Sequence, residues 1–143
     1  MEGLIGIFLV CCTSFVGPSM GVYEKELNYC PPTPNCVSSQ SWKYNVLHKV
    51  TPYTYSISKE EAYKKLYDYL DKLENVSIRK ETNSDYIRVF YFTKVFRFPD
   101  KVEFFFEKDS NKIQVRSASV FGIWDIFHNR ARIEWIRRDL DFQ

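Results

Sequence analysis

The sequence predicts an α+β domain in which two amphipathic helices pack on one face of an antiparallel sheet of about five strands. One short strand-like run precedes a stretch of helical periodicity, several strand-like runs follow in succession, and a second helical stretch ends the chain. Short loops between consecutive strands imply antiparallel pairing. The order strand, helix, strands, helix is typical of helices packed on one side of such a sheet.

Length and composition predict a single folded domain. The chain has 143 residues, of which 45% are hydrophobic, which is enough apolar material for one core. The formal net charge is +2, from 20 Lys and Arg against 18 Asp and Glu. Nucleic-acid-binding proteins usually have a stronger basic excess, so we expect no nucleic acid as a partner.

Residues 1–21 read as a leader and short tether before a single domain at 22–143. The uncharged run from Gly3 to Cys12 has the length of a signal-peptide core, whereas a membrane span needs roughly 20 residues. The letters LVCC resemble the cleavage box of bacterial lipoproteins, and Cys12 fits the lipid-bearing position better than Cys11. We therefore expect an exported protein that carries lipid, such as palmitate, on Cys12. The alternatives are a plain signal peptide of a secreted protein and an apolar helix packed on the domain.

The first strand and the first helix are predicted between residues 51 and 74. The run TPYTYSI reads as an edge strand with Pro52 at its start. Ser58 and Glu61 form the S-x-x-E capping box at the start of the helix. Its apolar stripe at helical spacing contains Ala62, Leu66, Tyr69, Leu70 and Leu73.

From Val76 onward the pattern becomes that of strands. The runs VSIRKET, YIRVFYFT, KVFRF, KVEFFFEK and KIQVRSAS are rich in β-branched and aromatic residues and are separated by turn residues. A second helix is predicted from about Ile126 to Leu140, with Ile126, Ile133, Ile136 and Leu140 on its inner stripe. In this helix Glu134 is spaced to pair with Arg130 and Arg138.

Cys30 and Cys36 enclose the proline-rich segment PPTPN. Structural zinc usually needs four ligands in closer pairs, and only His48 and His128 remain as partners, so we expect no metal. A redox centre usually has two intervening residues beside a helix N-terminus, which these prolines exclude. A disulfide in an exported protein fits best, and closing a ring of this size contributes about 2.4 kcal/mol or less.

The alternation of apolar residues fixes the register of the last predicted hairpin. Pairing Glu107 with Lys112 across its turn places Phe104 opposite Val115 on the apolar face. The same register places Glu103 opposite Arg116 on the other face.

Polar side chains from three nearby segments form a candidate ligand-binding site. Arginine guanidinium groups and carboxylates that converge can hold a polar ligand through paired hydrogen bonds. The alternative is that these residues form a structural salt-bridge network between the second helix and the sheet. The candidate residues are Arg97, Asp100, Glu103, Arg116, Asp125, Asn129 and Arg130.

Several motifs resemble domain-of-unknown-function family 1499. CPPTPNCVSSQ at 30–40 resembles the opening signature of the family, and HKVTPYTY at 48–55 resembles its next block. FRFPDKVEF at 96–104 and IQVRSASVFGIWDIFHNRARIE at 113–134 are similar to two longer blocks. Lys101 and Val120 depart from the family's usual Asp and Arg. The resemblance implies an extracytoplasmic or membrane-associated domain and brings no agreed activity.

We therefore expect a non-enzymatic, lipid-anchored domain of the cell envelope, on its periplasmic or outer-membrane side. Its expected partners are the membrane and a small polar or amphipathic ligand or an envelope protein. One alternative is a hydrolase that uses Glu103, Asp100 or Asp125 as acid or base, and another is a purely structural envelope protein. The sequence has no nucleophile–base pair, metal set or phosphate loop, so we assign no catalytic residue and no cofactor.

Overall fold

A computed structural model describes residues 19–79, 81–120 and 127–143, and these form the predicted α+β fold. A small sheet of two strands precedes a larger antiparallel sheet, and two helices accompany the larger sheet. In chain order the elements are β1 (Val22–Tyr23), β2 (Glu26–Leu27), β3 (Cys36–Ser38), β4 (Tyr53–Thr54), α1 (Lys59–Asp71), β5 (Val76–Arg79), β6 (Tyr86–Phe92), β7 (Pro99–Phe106), β8 (Lys112–Ser119) and α2 (His128–Asp139).

The larger sheet has six strands in the order β3-β8-β7-β6-β5, and β4 also pairs with β8. Two short strands thus share one edge of β8, since Val37 lies opposite Ser117 and Tyr53 lies opposite Ile113. The sequence predicted about five strands. The additional strands β1, β2 and β3 contain two or three residues each, which is too short to produce a periodic pattern.

One predicted strand is wrong, because KVFRF at 94–98 forms the turn between β6 and β7. The Thr93 amide donates to the Phe98 carbonyl over 3.0 Å, and the Arg97 amide donates to the Thr93 carbonyl over 3.1 Å. Arg97 has a φ of 55°, in the left-handed region that a strand does not use. The aromatic composition is that of a strand, but the hydrogen bonds close a turn.

Both helices pack on the same face of the larger sheet, as predicted. Leu66 and Leu70 of α1 and Ile133 and Ile136 of α2 share one buried cluster with alternate residues of the strands, among them Val89, Val102, Phe104 and Val115. We call this side of the sheet the helix face. The opposite side, which we call the second face, carries a smaller cluster of Leu27, Tyr86 and Phe105, against which Val22 packs.

The capping box and the disulfide are confirmed. The Glu61 amide donates to Ser58 Oγ over 3.2 Å, and the Ser58 amide donates to the Glu61 carboxylate over 3.1 Å. Cys30 and Cys36 are joined, and Cys36 begins β3, so the disulfide fixes the proline loop to the edge of the sheet.

The predicted ion pairs of α2 are wrong. Glu134 pairs with Arg137 over 3.0 Å, and Arg138 pairs with Asp139. Arg130 instead donates to the carbonyls of Val46 and Lys49, which fastens the loop before β4 to the helix. Residues three apart on a helix are as close as residues four apart, so spacing alone does not choose between these partners. Ile126, predicted on the inner stripe, lies outside the described residues.

Candidate functional site

A buried polar network joins α2 to the helix face of the sheet. Asp100 on β7 alternates in phase with Val102 and Phe104, so its carboxylate faces the helices. Arg132 of α2 approaches this carboxylate with Nη2 at 2.5 Å from Oδ2. Asp100 is almost fully buried, so the arginine supplies the compensating charge that a buried carboxylate needs.

Asn129 and Ser117 complete this network. Ser117 Oγ donates to Asn129 Oδ1 over 2.6 Å, and Arg132 Nη1 donates to both of these oxygens over 2.9 Å. The Asn129 amide nitrogen donates to Ser119 Oγ over 2.8 Å. The polar atoms therefore satisfy one another, which favours fixed positions for α2 and β8.

A cleft opens beside this network, between the end of α1, the end of β6 and the first turns of α2. Its volume is about 530 Å³, within the range typical of small-molecule sites. Its wall combines apolar or aromatic side chains with polar groups, and it contains Tyr69, Leu73, Asn75, Tyr91, Phe92, Thr93, Lys94, Asp100, His128, Arg132, Trp135 and Ile136.

Tyr91 contributes a buried hydroxyl to this cleft that the described part of the chain leaves without a hydrogen-bond partner. Its side chain is buried, and among the described residues its hydroxyl has no hydrogen-bond partner. Burial raises the pKa of this hydroxyl well above its ordinary value, against the opposing effect of Arg132, whose guanidinium lies 4.8 Å from the ring centre. Tyr91 is therefore a neutral group that can donate one hydrogen bond and accept another.

A second buried ion pair lies on the second face of the sheet. Arg116 Nη1 contacts Glu103 Oε2 at 2.5 Å, and both side chains are 0% exposed. Glu103 Oε1 accepts from the Tyr86 hydroxyl over 2.6 Å and from the Gly21 amide over 2.7 Å. Burial and the neighbouring Glu103 raise the pKa of Tyr86, which therefore remains a hydrogen-bond donor to the carboxylate.

The model of a protein family matches residues 26–140 of the chain, and this family is described as a protein of unknown function, DUF1499. The chain belongs to the DUF1499 family. The resemblance inferred from the cysteine loop and the later motifs is thereby confirmed. Neither a search of curated proteins nor a search of solved structures found a match to this chain.

In this DUF1499 domain the predicted site residues do not form one cluster. Asp100 and Asn129 meet on the helix face, whereas Glu103 and Arg116 meet on the second face. Arg97 lies in the exposed turn between β6 and β7. The physical reason is the alternation of side chains along β7, since residues 100 and 103 have opposite parity.

The two remaining candidates lie elsewhere. Arg130 binds the loop before β4 through the carbonyls of Val46, Leu47 and Lys49. Asp125 lies outside the described residues, as does Cys12.

Sequence reasoning missed Arg132, Tyr91 and Trp135. A signal for Arg132 was available, because Asp100 shares the parity of Val102 and therefore needed a cationic partner from a helix. Arg132 follows Asn129 by three residues and so lies on the same side of α2. Tyr91 and Trp135 read as ordinary strand and helix residues, and their shared cleft depends on how α2 packs.

Two further observations bear on the chemistry of this domain. In the parts of the chain that the structure describes, no three His, Cys, Asp or Glu residues are grouped to hold a metal ion. No helix in the same ranges is long and apolar enough to cross a membrane.

Proposed function

We propose that this DUF1499 domain is a non-enzymatic binding module of the cell envelope, anchored by lipid on Cys12, that holds an amphipathic ligand in the cleft between α1 and α2. The observation that carries the proposal is the pairing of an apolar wall with one unsatisfied buried hydroxyl. Leu73, Trp135 and Ile136 supply apolar surface, and Tyr91 supplies the hydroxyl. A buried polar group without a hydrogen-bond partner destabilises the protein. A ligand with a matching polar group supplies that hydrogen bond and removes the cost in free energy.

Charge at the cleft favours a ligand with an anionic or strongly polar head. Lys94 and Arg132 line the cleft together with Asp100, whose charge is already compensated by Arg132. The side chain of Lys94 is exposed, so its ammonium group is available to a ligand that enters from solvent. An alkyl or aromatic tail against Trp135 and a polar head near Lys94 or Tyr91 suit this distribution.

The arrangement of the two described carboxylates argues against a hydrolase that uses Asp100 and Glu103 together. Asp100 is paired with Arg132, and Glu103 accepts from Arg116, Tyr86 and Gly21. The two carboxylates lie on opposite faces of the sheet, so they are not placed to act as acid and base on one substrate. Because both carboxylates already have partners, these two ion pairs fit the alternative of a structural salt-bridge network. This argument does not extend to the cleft.

Binding of a fluorescent fatty acid with a dansyl group tests the proposal. We expect the dansyl emission to rise on binding to the wild-type protein. Trp135→Ala should weaken the affinity about 10-fold, because it removes most of one apolar wall. Tyr91→Phe should weaken the affinity about 5-fold, because it removes one hydrogen bond and keeps the shape.

Trp42→Ala is the matched control, since Trp42 is an exposed tryptophan that does not line the cleft. Its affinity for the probe should equal that of the wild type. Equal affinity in all three variants places the probe elsewhere and contradicts the proposed site. No rise in emission with the wild-type protein contradicts amphipathic ligand binding itself.

A further inference from the structure

The turn between β6 and β7 presents an ordered set of apolar side chains to solvent. We call residues 94–98 the β6–β7 tip. Thr93 organises it, because its carbonyl accepts from the Arg97 amide over 3.1 Å and its Oγ1 accepts from the Phe98 amide over 3.0 Å. The tip therefore has a defined shape that projects its side chains from the end of the sheet.

The tip exposes apolar side chains at three of its five positions. Val95 is 80% exposed, Phe96 74% and Phe98 40%. The rings of Phe96 and Phe98 stack with their centroids 5.6 Å apart. Single exposed hydrophobic residues are normal, but three within four positions form a patch of the kind that marks an interaction site.

Cations accompany the apolar residues. Lys94 begins the tip, and Arg97 lies between the two phenylalanines, with its guanidinium 5.2 Å from the ring centre of Phe92. The tip contains no acidic residue. Apolar rings that enter the acyl region beside cations that bind lipid phosphates are the combination that suits an anionic membrane surface.

The opposite end of the sheet has the reverse character. Alternate turns of an antiparallel sheet lie at opposite ends, so the β5–β6 and β7–β8 turns lie together, away from the tip. Residues 81–85 read ETNSD and residues 107–111 read EKDSN, which gives four acidic side chains and one lysine. Asp85 pairs with Lys59 and Glu81 pairs with Arg88, so the excess of negative charge at this end is small. An anionic membrane would attract the tip more strongly than the opposite end, which favours one orientation of the domain.

The path of the N-terminal chain agrees with this orientation. Val22 packs against the cluster that contains Phe105, and the preceding Gly21 donates to Glu103. Followed backwards, the chain thus runs in the direction from Phe105 to Glu103, toward the end of the sheet that carries the tip. The seven Cα–Cα steps from Cys12 to Ser19 reach at most about 25 Å, so a lipid on Cys12 would keep the domain beside the membrane.

We propose that the β6–β7 tip is a membrane-docking surface that inserts Val95, Phe96 and Phe98 into an anionic lipid layer, with Lys94 and Arg97 at the level of the lipid phosphates. This surface goes beyond the cleft and its ligand, although Lys94 belongs to both, and the orientation that it gives the domain rests on the proposed lipid on Cys12. It also directs the cleft toward the membrane, since Phe92, Thr93 and Lys94 line the cleft where the tip begins.

A polarity-sensitive fluorophore attached at single cysteines tests this proposal in the full chain. The background is Cys11→Ser with Cys12→Ser, which leaves no free thiol because Cys30 and Cys36 are joined. The label is attached to Val95→Cys at the tip, or to Lys108→Cys at the opposite end as the matched control. Every variant keeps the other residues of 1–21, so binding contributed by that segment is common to all.

We expect vesicles of phosphatidylglycerol and phosphatidylcholine to shift the emission of the tip label to the blue and to leave the control label unchanged. Adding Lys94→Glu and Arg97→Glu should raise the lipid concentration needed for half of this shift about 10-fold or more, because two attractive charges become repulsive. High salt should raise this concentration as well.

Four outcomes would overturn the proposal. One is vesicle-bound protein whose tip label keeps its aqueous emission, and another is an equal shift of both labels. The third is a blue shift that follows protein concentration without vesicles, which assigns the tip to contact between copies of the chain. Absence of any binding to the anionic vesicles counts against the proposal in the same way.

Discussion

At the scale of single residues, Glu103 and Arg116 form a fully buried ion pair in the described part of the fold. Both side chains are fully buried, and each carboxylate oxygen of Glu103 accepts at least one hydrogen bond. Among the described residues, Arg116 Nε and Nη2 have no hydrogen-bond partner. The arginine therefore depends on Glu103 for the compensation of its charge, and loss of the carboxylate leaves that charge buried.

We expect Glu103→Ala to lower the free energy of unfolding by about 3 kcal/mol or more, because it leaves Arg116 uncompensated. Arg116→Ala should cost a similar amount, and the double variant should cost clearly less than the sum of the two. Urea denaturation measures all three. Asp68→Ala is the control, because it removes an exposed pair with Lys64 and should cost under about 1 kcal/mol. Additive losses for Glu103 and Arg116 would show that the two side chains are not coupled.

The alternation of side chains along β7 and β8 predicts this pair correctly, but the same alternation was not applied to Asp100. The apolar alternation of β7 and β8 allows one parity, and the structure confirms Glu103 opposite Arg116 and Phe104 opposite Val115. The same parity assigns Asp100 to the helix face, although its closeness to Glu103 along the chain predicts that the two share one site. The partner of Asp100 depends on the packing of α2, which parity along a strand does not specify.

At the scale of elements, α2 is attached to the sheet by polar contacts near its start. The residue that precedes it, the N-cap Phe127, makes no side-chain cap hydrogen bond, in contrast to the capping box of α1. Asn129 and Arg132 bind Ser117, Ser119 and Asp100. The first turns of α2 are therefore held by the sheet, whereas α1 is also stabilised by its own sequence.

We expect Asp100→Asn to loosen the first half of α2 selectively, because it removes the charge that compensates Arg132. Amide hydrogen exchange should speed up in the first turns of α2 and stay unchanged in α1, with a loss of stability of about 2 kcal/mol. Glu134→Ala is the control within the same helix, since its pair with Arg137 is partly exposed and should contribute under about 1 kcal/mol. Equal acceleration in both helices would instead indicate global destabilisation.

The elements that the sequence predicted correctly are those with local signals. The capping box and the stripe of α1 determine its start and its buried face without knowledge of the rest of the fold. Residues 94–98 were wrongly predicted as a strand, because their aromatic composition favours a strand. The decisive contacts there are the hydrogen bonds of Thr93 across the turn. Aromatic residues that stay exposed in a turn contribute little to the core, which agrees with the binding role proposed for the tip.

At the scale of the whole molecule, the sheet divides the domain into two faces and two ends that differ in their side chains. The helix face carries the main core, the network of Asp100 and the cleft, while the second face carries the Glu103–Arg116 pair. The β6–β7 tip is apolar and cationic, and the opposite end is acidic. A domain tethered near its tip by a lipid would present the cleft toward the membrane and the acidic end away from it.

The anchor itself gives the last prediction. Cys12→Ser should move the protein from the membrane fraction to the soluble fraction, because the proposed lipid on this residue would supply most of the membrane affinity and the proposed tip would bind only reversibly. Washing the membranes with high salt before fractionation removes binding through Lys94 and Arg97 and isolates the contribution of the lipid. Cys11→Ser is the matched control, and this variant should stay in the membrane fraction. Mass spectrometry of the wild-type protein should find a lipid-modified Cys12 as its first residue. Release by Cys11→Ser with retention of Cys12→Ser would assign the lipid to the neighbouring cysteine, and an unmodified Cys12 in the native membrane would contradict lipid anchoring at this residue.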